Sequence, residues 1–394
     1  MSFSIINKNL LILTFFFITS SCTKSNVYET LKIKTYKTPI VESFEENANI
    51  LITNNDNKIN YENKIILKEF KNNTQFSQNV IIINNEVYAL NKDIDLLKFN
   101  LKNGDLVSSK KIAVTNIDDN NIISFNYVDD SFILAFKSGS ILRFNMNGKI
   151  IWKFDSNKTL NSPLKIIDEQ IIALYVDEIK SIKIDDGSQI WFSIYEDLPI
   201  YQAKGGQLVN FLNLLYFILP NNKFGSIDLN LGLVHYSNFD DMPLISSINN
   251  TKDKIHIFNN YLVYLDEGKY LYTFDIFKNE FILFKKNIDI SSSNIFFNNS
   301  LILKEGDFLQ AINIDNGKTF WLIQDKVISK KNSILAAKTN KKNIEIFLDN
   351  GDVIVINNKE LIKIDNLDTK KISNITFKKQ NIIVSTESGK TVIF

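Results

Sequence analysis

The sequence predicts an all-β fold made of repeated four-stranded antiparallel sheets, and three observations support this prediction. Turn-like glycine clusters recur at a regular interval, all three tryptophans occupy one position of the repeat, and the segments between the turns alternate apolar and polar residues. Alternation with a period of two, bounded by Gly, Asn or Asp, is typical of strands joined by hairpins. The composition, 44% hydrophobic and 23% charged, is that of an ordinary globular protein.

The repeat is measured by two series of glycines, each of which lies in a turn-like cluster. The first series comprises Gly104, Gly148, Gly187, Gly232 and Gly317, and the second comprises Gly139, Gly225, Gly268, Gly306, Gly351 and Gly389. Successive members of a series lie roughly 38 to 47 residues apart, or two such steps where one copy has lost its glycine, which is the length of a four-stranded propeller blade.

The tryptophans show that this spacing is a structural repeat. Trp152, Trp191 and Trp321 each stand four residues after a glycine of the first series, and Tyr236 takes the same position after Gly232. One large aromatic residue per repeat, always at the same position, is what packing between neighbouring blades requires. We therefore assign these four residues a structural role in the repeat.

The number of copies predicts an eight-bladed β-propeller of four-stranded antiparallel blades over residues 59–394. The second turn recurs eight times if Asp93–Asp95 and Asp177–Ile179 are counted, whereas the first recurs seven times. The last copy ends at Phe394, before its fourth strand, and the upstream segment Lys64–Phe70 can supply that strand. The last blade would then be closed by an N-terminal strand, which removes an exposed edge. Seven blades remain the alternative.

The N-terminus has the pattern of an export signal. Residues 1–21 contain the apolar run Leu10–Ile18, which is too short to span a bilayer, followed by small residues and Cys22. This arrangement resembles the bacterial lipoprotein signal, in which the cysteine becomes the lipidated N-terminus, and Thr23 behind it favours the outer membrane by the same resemblance. Residues 22–58 are then an anchored, flexible segment. The alternative is a plain signal peptide followed by a free thiol.

Composition excludes several function classes. The formal net charge of +1 provides no basic surface for nucleic acid. One cysteine and two histidines are too few for a thiolate or imidazole zinc site, and a single cysteine cannot form an internal disulfide. No catalytic string accompanies His235 or His256. We expect no catalytic residues, no metal and no cofactor.

The repeated string of apolar strand, Asp or Asn, Gly, three residues and Trp resembles the quinoprotein-type propeller. Together with the lipoprotein signal, the chain is similar to the BamB family, the propeller lipoproteins of the machinery that assembles outer-membrane β-barrels. The resemblance implies a non-catalytic scaffold at the periplasmic face of the outer membrane. Its implied partners are a BamA-like protein, nascent outer-membrane proteins and the membrane itself, through the lipid anchor.

One loop carries a local match to that family. The family's loop reads Asp-apolar-Pro followed by apolar-x-apolar-Arg-Gly, and it contacts BamA. In this sequence Asp197-Leu198-Pro199 is followed by Tyr201 and Ala203 at the apolar positions, Lys204 at the Arg position and Gly205 at the Gly position. The resemblance therefore implies that these last four residues bind the partner, with the point charge of Lys replacing the planar fork of Arg.

Two other functions remain open for a propeller of this kind. A small ligand or a carbohydrate could bind at the central pore, or the chain could be a vestigial quinoprotein dehydrogenase. By resemblance, active enzymes of that class use an adjacent cysteine pair over the cofactor, and this chain has one cysteine, already assigned to the anchor. The sequence therefore favours a scaffold over an enzyme.

Overall fold

Every regular element of the described chain is a β-strand, which confirms the predicted all-β class. The computed structural model describes residues 50–52, 64–68, 70, 80–114, 121–194, 207–218, 224–236, 255–258, 260–265, 271–278, 280–285, 295–297, 300–314, 316–339, 343–357, 360–378 and 381–394. Within these ranges there is no helix that could cross a membrane.

The described strands form eight sheets, seven with four strands and one with five, which we number along the chain. Sheets 1 to 3 consist of β3 (Val80–Ile83), β4 (Glu86–Leu90), β5 (Asp95–Asn100) and β6 (Leu106–Lys111); β7 (Ile122–Val128), β8 (Ser131–Phe136), β9 (Ser140–Asn145) and β10 (Ile150–Asp155); and β11 (Lys165–Ile167), β12 (Gln170–Leu174), β13 (Glu178–Lys183) and β14 (Gln189–Ile194). Sheets 4 to 6 consist of β15 (Gln207–Phe211), β16 (Leu214–Ile218), β17 (Phe224–Asp228) and β18 (Val234–Tyr236); β19 (Ile255–Phe258), β20 (Tyr261–Leu265), β21 (Leu271–Asp275) and β22 (Glu280–Lys285); and β23 (Ile295–Phe297), β24 (Ser300–Glu305), β25 (Phe308–Asn313) and β26 (Thr319–Gln324). Sheet 7 consists of β1 (Ile50–Ile52), β27 (Ile334–Thr339), β28 (Asn343–Leu348), β29 (Asp352–Asn357) and β30 (Glu360–Asn366), and sheet 8 of β31 (Ile372–Lys378), β32 (Asn381–Thr386), β33 (Thr391–Ile393) and β2 (Ile65–Ile66).

Within each sheet the repeat strands pair antiparallel in chain order, as the alternating pattern predicts. The connections between sheets and the second hairpin of each sheet therefore lie at one end of the strands, which we call the connection face. The first and third hairpins lie at the other end, which we call the hairpin face. All five glycines of the first series lie in third hairpins with positive φ, where sequence analysis places a tight turn.

The first strands of sheets 4 to 8 lie where neighbouring sheets converge, and the described fourth strands of sheets 1, 2, 3 and 6 are exposed. β15 contacts β19, and β27 contacts both β23 and β31, so the first strands of successive sheets meet. By contrast, five of the six residues of β6 are exposed, as are three of six in β10 and four of six in both β14 and β26.

The core lies between adjacent sheets and is strongly apolar. Buried clusters join sheet 1 to 2, 2 to 3, 3 to 4, 6 to 7, 7 to 8, and 8 to 1. In the first of these, the ring of Phe132 stacks on Phe125 and Phe144 with centroid distances of 5.2 and 5.5 Å. Sheets 1, 2, 3, 7 and 8 thus bury both of their faces against their neighbours, which explains why strand interiors such as that of β8 are apolar at every position.

β2 occupies the fourth-strand position of sheet 8. Ile65 and Ile66 pair antiparallel with β33, and the Leu67 amide donates to the carbonyl of Thr391 at 3.3 Å. On the other side, the Lys68 amide donates to the carbonyl of Gly104 in sheet 1 at 3.1 Å. The segment around β2 therefore links the last sheet to the first.

Two features differ from the sequence pattern. Gly225, which the spacing places in a turn, lies inside β17 without positive φ, where a Cβ would come within 2.6 Å of the Phe217 ring. It is a glycine because a neighbouring ring approaches it closely. The strand β1 lies within residues 22–58, upstream of the predicted propeller boundary, and pairs with β27.

Candidate partner-binding face

Two of the repeat tryptophans each connect their own sheet to the next one along the chain. Trp152 on β10 and Trp191 on β14 are both 8% exposed. The indole Nε1 of Trp152 donates to the carbonyl of Ile184 in sheet 3 at 2.8 Å, and Nε1 of Trp191 donates to the carbonyl of Leu229 in sheet 4 at 2.8 Å. A buried indole N–H needs such a partner, and here the partner is always the third hairpin of the following sheet.

The glycine of that same hairpin lies directly under the ring. A Cβ on Gly187 would stand 2.8 Å from the Trp152 ring, and a Cβ on Gly232 would stand 2.8 Å from the Trp191 ring. Only glycine fits beneath the indole, so each Trp belongs with the Gly one repeat later rather than with the Gly four residues before it. Sequence reasoning missed this pairing, although its signal is present: these two tryptophans are each followed by a glycine of the first series in the next copy.

The other two repeat positions differ from this arrangement. Trp321 on β26 is only partly buried, and the next third hairpin carries Asn358 and Lys359, which lie outside the described residues. Tyr236 ends β18, where its main chain pairs with Gly225. Thus the two tryptophans that are buried are those for which the third hairpin of the following sheet carries a glycine of the first series.

The predicted partner-binding residues, Tyr201, Ala203, Lys204 and Gly205, and the predicted lipidation site Cys22 lie outside the described residues. The ends of the connection that contains the first four are described. It leaves β14 at Ile194 and enters β15 at Gln207, so both ends lie on the connection face between sheets 3 and 4.

The same face carries a charged cluster in sheet 3. Lys158, in the connection from sheet 2, lies 2.9 Å from the Asp177 carboxylate and 3.3 Å from that of Glu178. Lys180 lies 2.8 Å from the second oxygen of Glu178, which is itself 4% exposed. A buried carboxylate needs such paired cations, so the cluster fixes the connection between sheets 2 and 3 against the second hairpin of sheet 3.

The surroundings of the cluster set its electrostatics. Burial alone lowers the pKa of Lys158, but the hydrogen bond to Asp177 and the charge of Glu178 outweigh it, so the pKa lies above its ordinary value. Burial raises the pKa of the Tyr175 phenol, whose ring centroid lies 5.5 Å from the Lys180 ammonium. The ion pairs of Lys158 and Lys180 with Glu178 thus form a support at this end of sheet 3.

A row of exposed apolar side chains leads into the predicted loop. Ile190, Phe192 and Ile194 alternate along β14 and are 45%, 51% and 61% exposed. β14 is a fourth strand, and no described strand pairs with its outer edge. Fourth strands elsewhere also expose apolar residues, namely Leu106, Val107, Ile151, Phe320 and Leu322. Exposed apolar rows of this kind are suited to contact with another protein.

Arg143 and the pair Asp129 and Asp130 have structural roles, whereas His235 is exposed. Arg143 is buried and donates to Ser131 Oγ at 2.7 Å and to the carbonyl of Ile184 at 2.9 Å, which ties sheet 2 to sheet 3. His235 lies exposed on β18. Asp129 and Asp130 form the first hairpin of sheet 2 with positive φ. Among the described residues, no group of three or more His, Cys, Asp or Glu could hold a metal ion.

Antiparallel four-stranded sheets that converge on their first strands and pack face to face define the class of protein, a β-propeller. The crystal structure of BamB from Moraxella catarrhalis is similar to this chain, with a TM-score of 0.59, 14% identity, and coverage of 86% of this chain and 98% of BamB. A computationally designed protein, Ika8, is similar with a TM-score of 0.58, 11% identity, and coverage of 88% and 99%. No family model and no curated protein matches the sequence. The fold is therefore that of a BamB-like propeller.

Proposed function

We propose that this chain is a non-catalytic scaffold lipoprotein of the machinery that assembles outer-membrane β-barrels. It would dock on a BamA-like protein and help to present nascent outer-membrane proteins. The observation that carries the proposal is the likeness of fold to BamB along nearly the whole of both chains. The lipoprotein-type N-terminus is the second support. A propeller suits a scaffold because its blades hold the connecting loops in fixed positions.

The proposal includes a closed ring of eight blades, with sheets 1 to 8 as the blades and β2 as the fourth strand of the last. Its supports are the pairing of β2 with β33 and a core cluster that contains both Phe99 of sheet 1 and Ile393 of sheet 8. Two ion pairs hold the segment from either side, Lys64 to Asp368 at 2.6 Å and Lys68 to Asp105 at 2.5 Å. Each exposed ion pair contributes little to stability, so the proposed closure rests mainly on the pairing of β2 with β33 and on the apolar cluster.

The proposed docking surface is the connection face at sheets 3 and 4. Tyr201, Ala203, Lys204 and Gly205 would contact the BamA-like partner, and the apolar row on β14 would extend that contact. The charged cluster around Glu178 holds the adjacent connection in place. Because the adjacent connection is held in place, the predicted loop beside it loses less conformational entropy when it binds.

The test is affinity purification of the tagged, full-length protein from membranes in mild detergent, followed by mass spectrometry. Three forms are compared: the unchanged protein, Lys204→Glu, and the matched charge reversal Lys149→Glu, in a third hairpin on the hairpin face. We expect a BamA-like protein with the first and third forms and its loss from Lys204→Glu, because the charge at the proposed contact is reversed.

The outcomes separate the scaffold from the loop. Recovery of the partner with all three forms supports the scaffold and rejects the role of Lys204. Absence of the partner from the unchanged protein rejects the scaffold, and a search for a ligand at the propeller axis becomes the next experiment.

Cys22 is proposed to hold the protein at the periplasmic face of the outer membrane through its lipid. Labelled palmitate should be incorporated into the unchanged protein and not into Cys22→Ser. Equal labelling of the two forms would reject the anchor without bearing on the fold.

A further inference from the structure

One described strand lies outside the repeat. β1 pairs in parallel with β27, with Ile50 opposite Ala337, Leu51 opposite Lys338 and Ile52 opposite Thr339. β27 is a first strand whose other neighbour is β28, so β1 lies on its free edge. Because first strands meet where the sheets converge, that edge faces the axis of the proposed ring. Sheet 7 is the one described sheet with a fifth strand.

The edge that β1 covers is closed to solvent. Ala337, Lys338 and Thr339 are 0%, 5% and 3% exposed. Among the other first strands, Ile82 and Ile83 on β3 and all of β11 are partly exposed, whereas β15 ends buried at Phe211. In β31, which contacts β27, Ile375, Thr376 and Phe377 are buried. The edge of β27 that receives β1 is therefore more deeply buried than the described first strands of sheets 1 and 3.

The direction of β1 agrees with the path that the chain must take. Since β1 is parallel to β27, it runs from the connection face to the hairpin face and ends at Ile52 beside Thr339, where the first hairpin begins. β2 starts at the corresponding end of its sheet, because Ile65 pairs with Ile393 at the end of β33, while the Lys64 side chain reaches Asp368 in the connection between sheets 7 and 8. Ile52 and Ile65 therefore lie at matching ends of the strands they pair with.

The chain between β1 and β2 is long enough to connect the two strands. β1 lies one strand further in than a first strand, so about four strand spacings, or about 19 Å, separate it from a fourth-strand position within one sheet. The residues between Ile52 and Ile65 can extend over roughly 40 Å. An antiparallel β1 would end on the opposite face and would have to pass back through or around the ring.

We propose that the N-terminal segment threads the axis of the propeller, entering on the connection face and leaving on the hairpin face. The chain that precedes Ile50, which leads back to Cys22, then departs from the connection face. The orientation rests on the proposed ring and anchor: the face that carries the predicted partner loop is turned toward the anchored membrane. In this arrangement β1 occupies the part of the axis that lies beside sheet 7.

A disulfide test addresses the threading directly. In the full-length protein, Ile50→Cys with Ala337→Cys places two thiols on directly paired residues of neighbouring strands, a separation within the range that a disulfide spans. We expect mild oxidation to give a species of altered mobility on a non-reducing gel, reversed by dithiothreitol. The matched control is Ile50→Cys with Ile167→Cys, at the end of first strand β11 in sheet 3, and it should give none.

The result is independent of the partner. If the paired cysteines do not cross-link in a variant that still purifies a BamA-like protein, the threading is wrong and the scaffold stands. If they cross-link while no partner is recovered, the threading stands and the proposed function is wrong. Cross-linking of both cysteine pairs to the same extent would show a loose segment and would also overturn the threading.

A second variant covers the case in which the cysteine pair perturbs folding. Leu51→Pro removes a main-chain donor from β1 and disfavours the strand. We expect the amides of β27 to exchange with deuterium at least ten times faster than in the unchanged protein, while those of β11 keep their rate. Unchanged exchange along β27 would overturn the proposal.

Discussion

Gly232→Ala tests how neighbouring sheets fit together. Gly232 has a φ of 67°, and an added Cβ would lie 2.8 Å from Cγ and Cδ2 of the Trp191 ring. The ring is held by its own hydrogen bond to the carbonyl of Leu229 and is 8% exposed, so it has little space into which to move. The substitution therefore combines backbone strain with overpacking at one contact between sheets 3 and 4.

The expected loss of stability follows from these two effects. The left-handed conformation costs a non-glycine residue about 1–2 kcal/mol. Overpacking a filled core costs about 1–3 kcal/mol more. Gly306→Ala is the matched control, because Gly306 has a φ of 61° but its Cβ would find nothing nearer than Lys330 Cε at 3.6 Å. The control should show the backbone effect alone, about 1–2 kcal/mol.

The assay is urea unfolding followed by far-UV circular dichroism, with the free energies of unfolding compared at equal m-values. A cycle with Trp191→Leu adds a direct measure of the contact, since removal of the ring should relieve much of the penalty of Gly232→Ala. If Gly232→Ala and Gly306→Ala lower the free energy of unfolding equally, or if the cycle gives no coupling, the indole does not constrain the glycine and the reasoning is refuted.

Three further predictions follow from particular contacts. Trp152→Phe should lower the free energy of unfolding by about 0.5–1.5 kcal/mol, because it removes one of the two donors to the buried carbonyl of Ile184, the other being Arg143, whereas Trp321→Phe, at a partly exposed position, should cost clearly less; equal losses in urea unfolding would contradict this. Gly104→Ala should free the segment around β2 to limited proteolysis, because a Cβ there would come within 2.1 Å of a main-chain oxygen of that strand; an unchanged digestion pattern would count against the close approach. The pKa of Glu86 lies below its ordinary value because Lys98 donates to its carboxylate, so the stabilisation is present above a pH of about 4.5 and is lost as the pH falls through the folded-state pKa. Carboxyl NMR titration should therefore show the Glu86 pKa rising in Lys98→Ala, and an unmoved pKa would refute the pairing.

The positions of the hairpins could be predicted from sequence because they depend on neighbouring residues. A Gly, Asn or Asp in a tight turn and a short alternating run on each side are local signals. Accordingly, the alternating runs Ile141–Asn145 and Phe308–Ile312 lie within β9 and β25. The four-stranded antiparallel grouping followed from the same signals, and the structure confirms it.

Contacts between sheets could not be read in the same way. The partner of Trp152 is Gly187, one whole repeat away, and nothing in either local sequence specifies the other. The buried Glu178 and its two lysines look like surface charges in the sequence, and burial makes them a structural cluster only after sheets 2 and 3 pack. Gly225 matches the spacing of a turn glycine, yet its role depends on where the Phe217 ring lies.

The sequence by itself determined the strands, the turns and the repeat length, because these depend on backbone conformation and on which face of each strand is apolar. Tertiary structure alone decided which residues meet across sheets and which first strand receives Ile50–Ile52 on its free edge. The physical reason is that every first strand offers similar main-chain donors and acceptors. Which of them is filled depends on the direction and reach of the connecting chain, which no local pattern encodes.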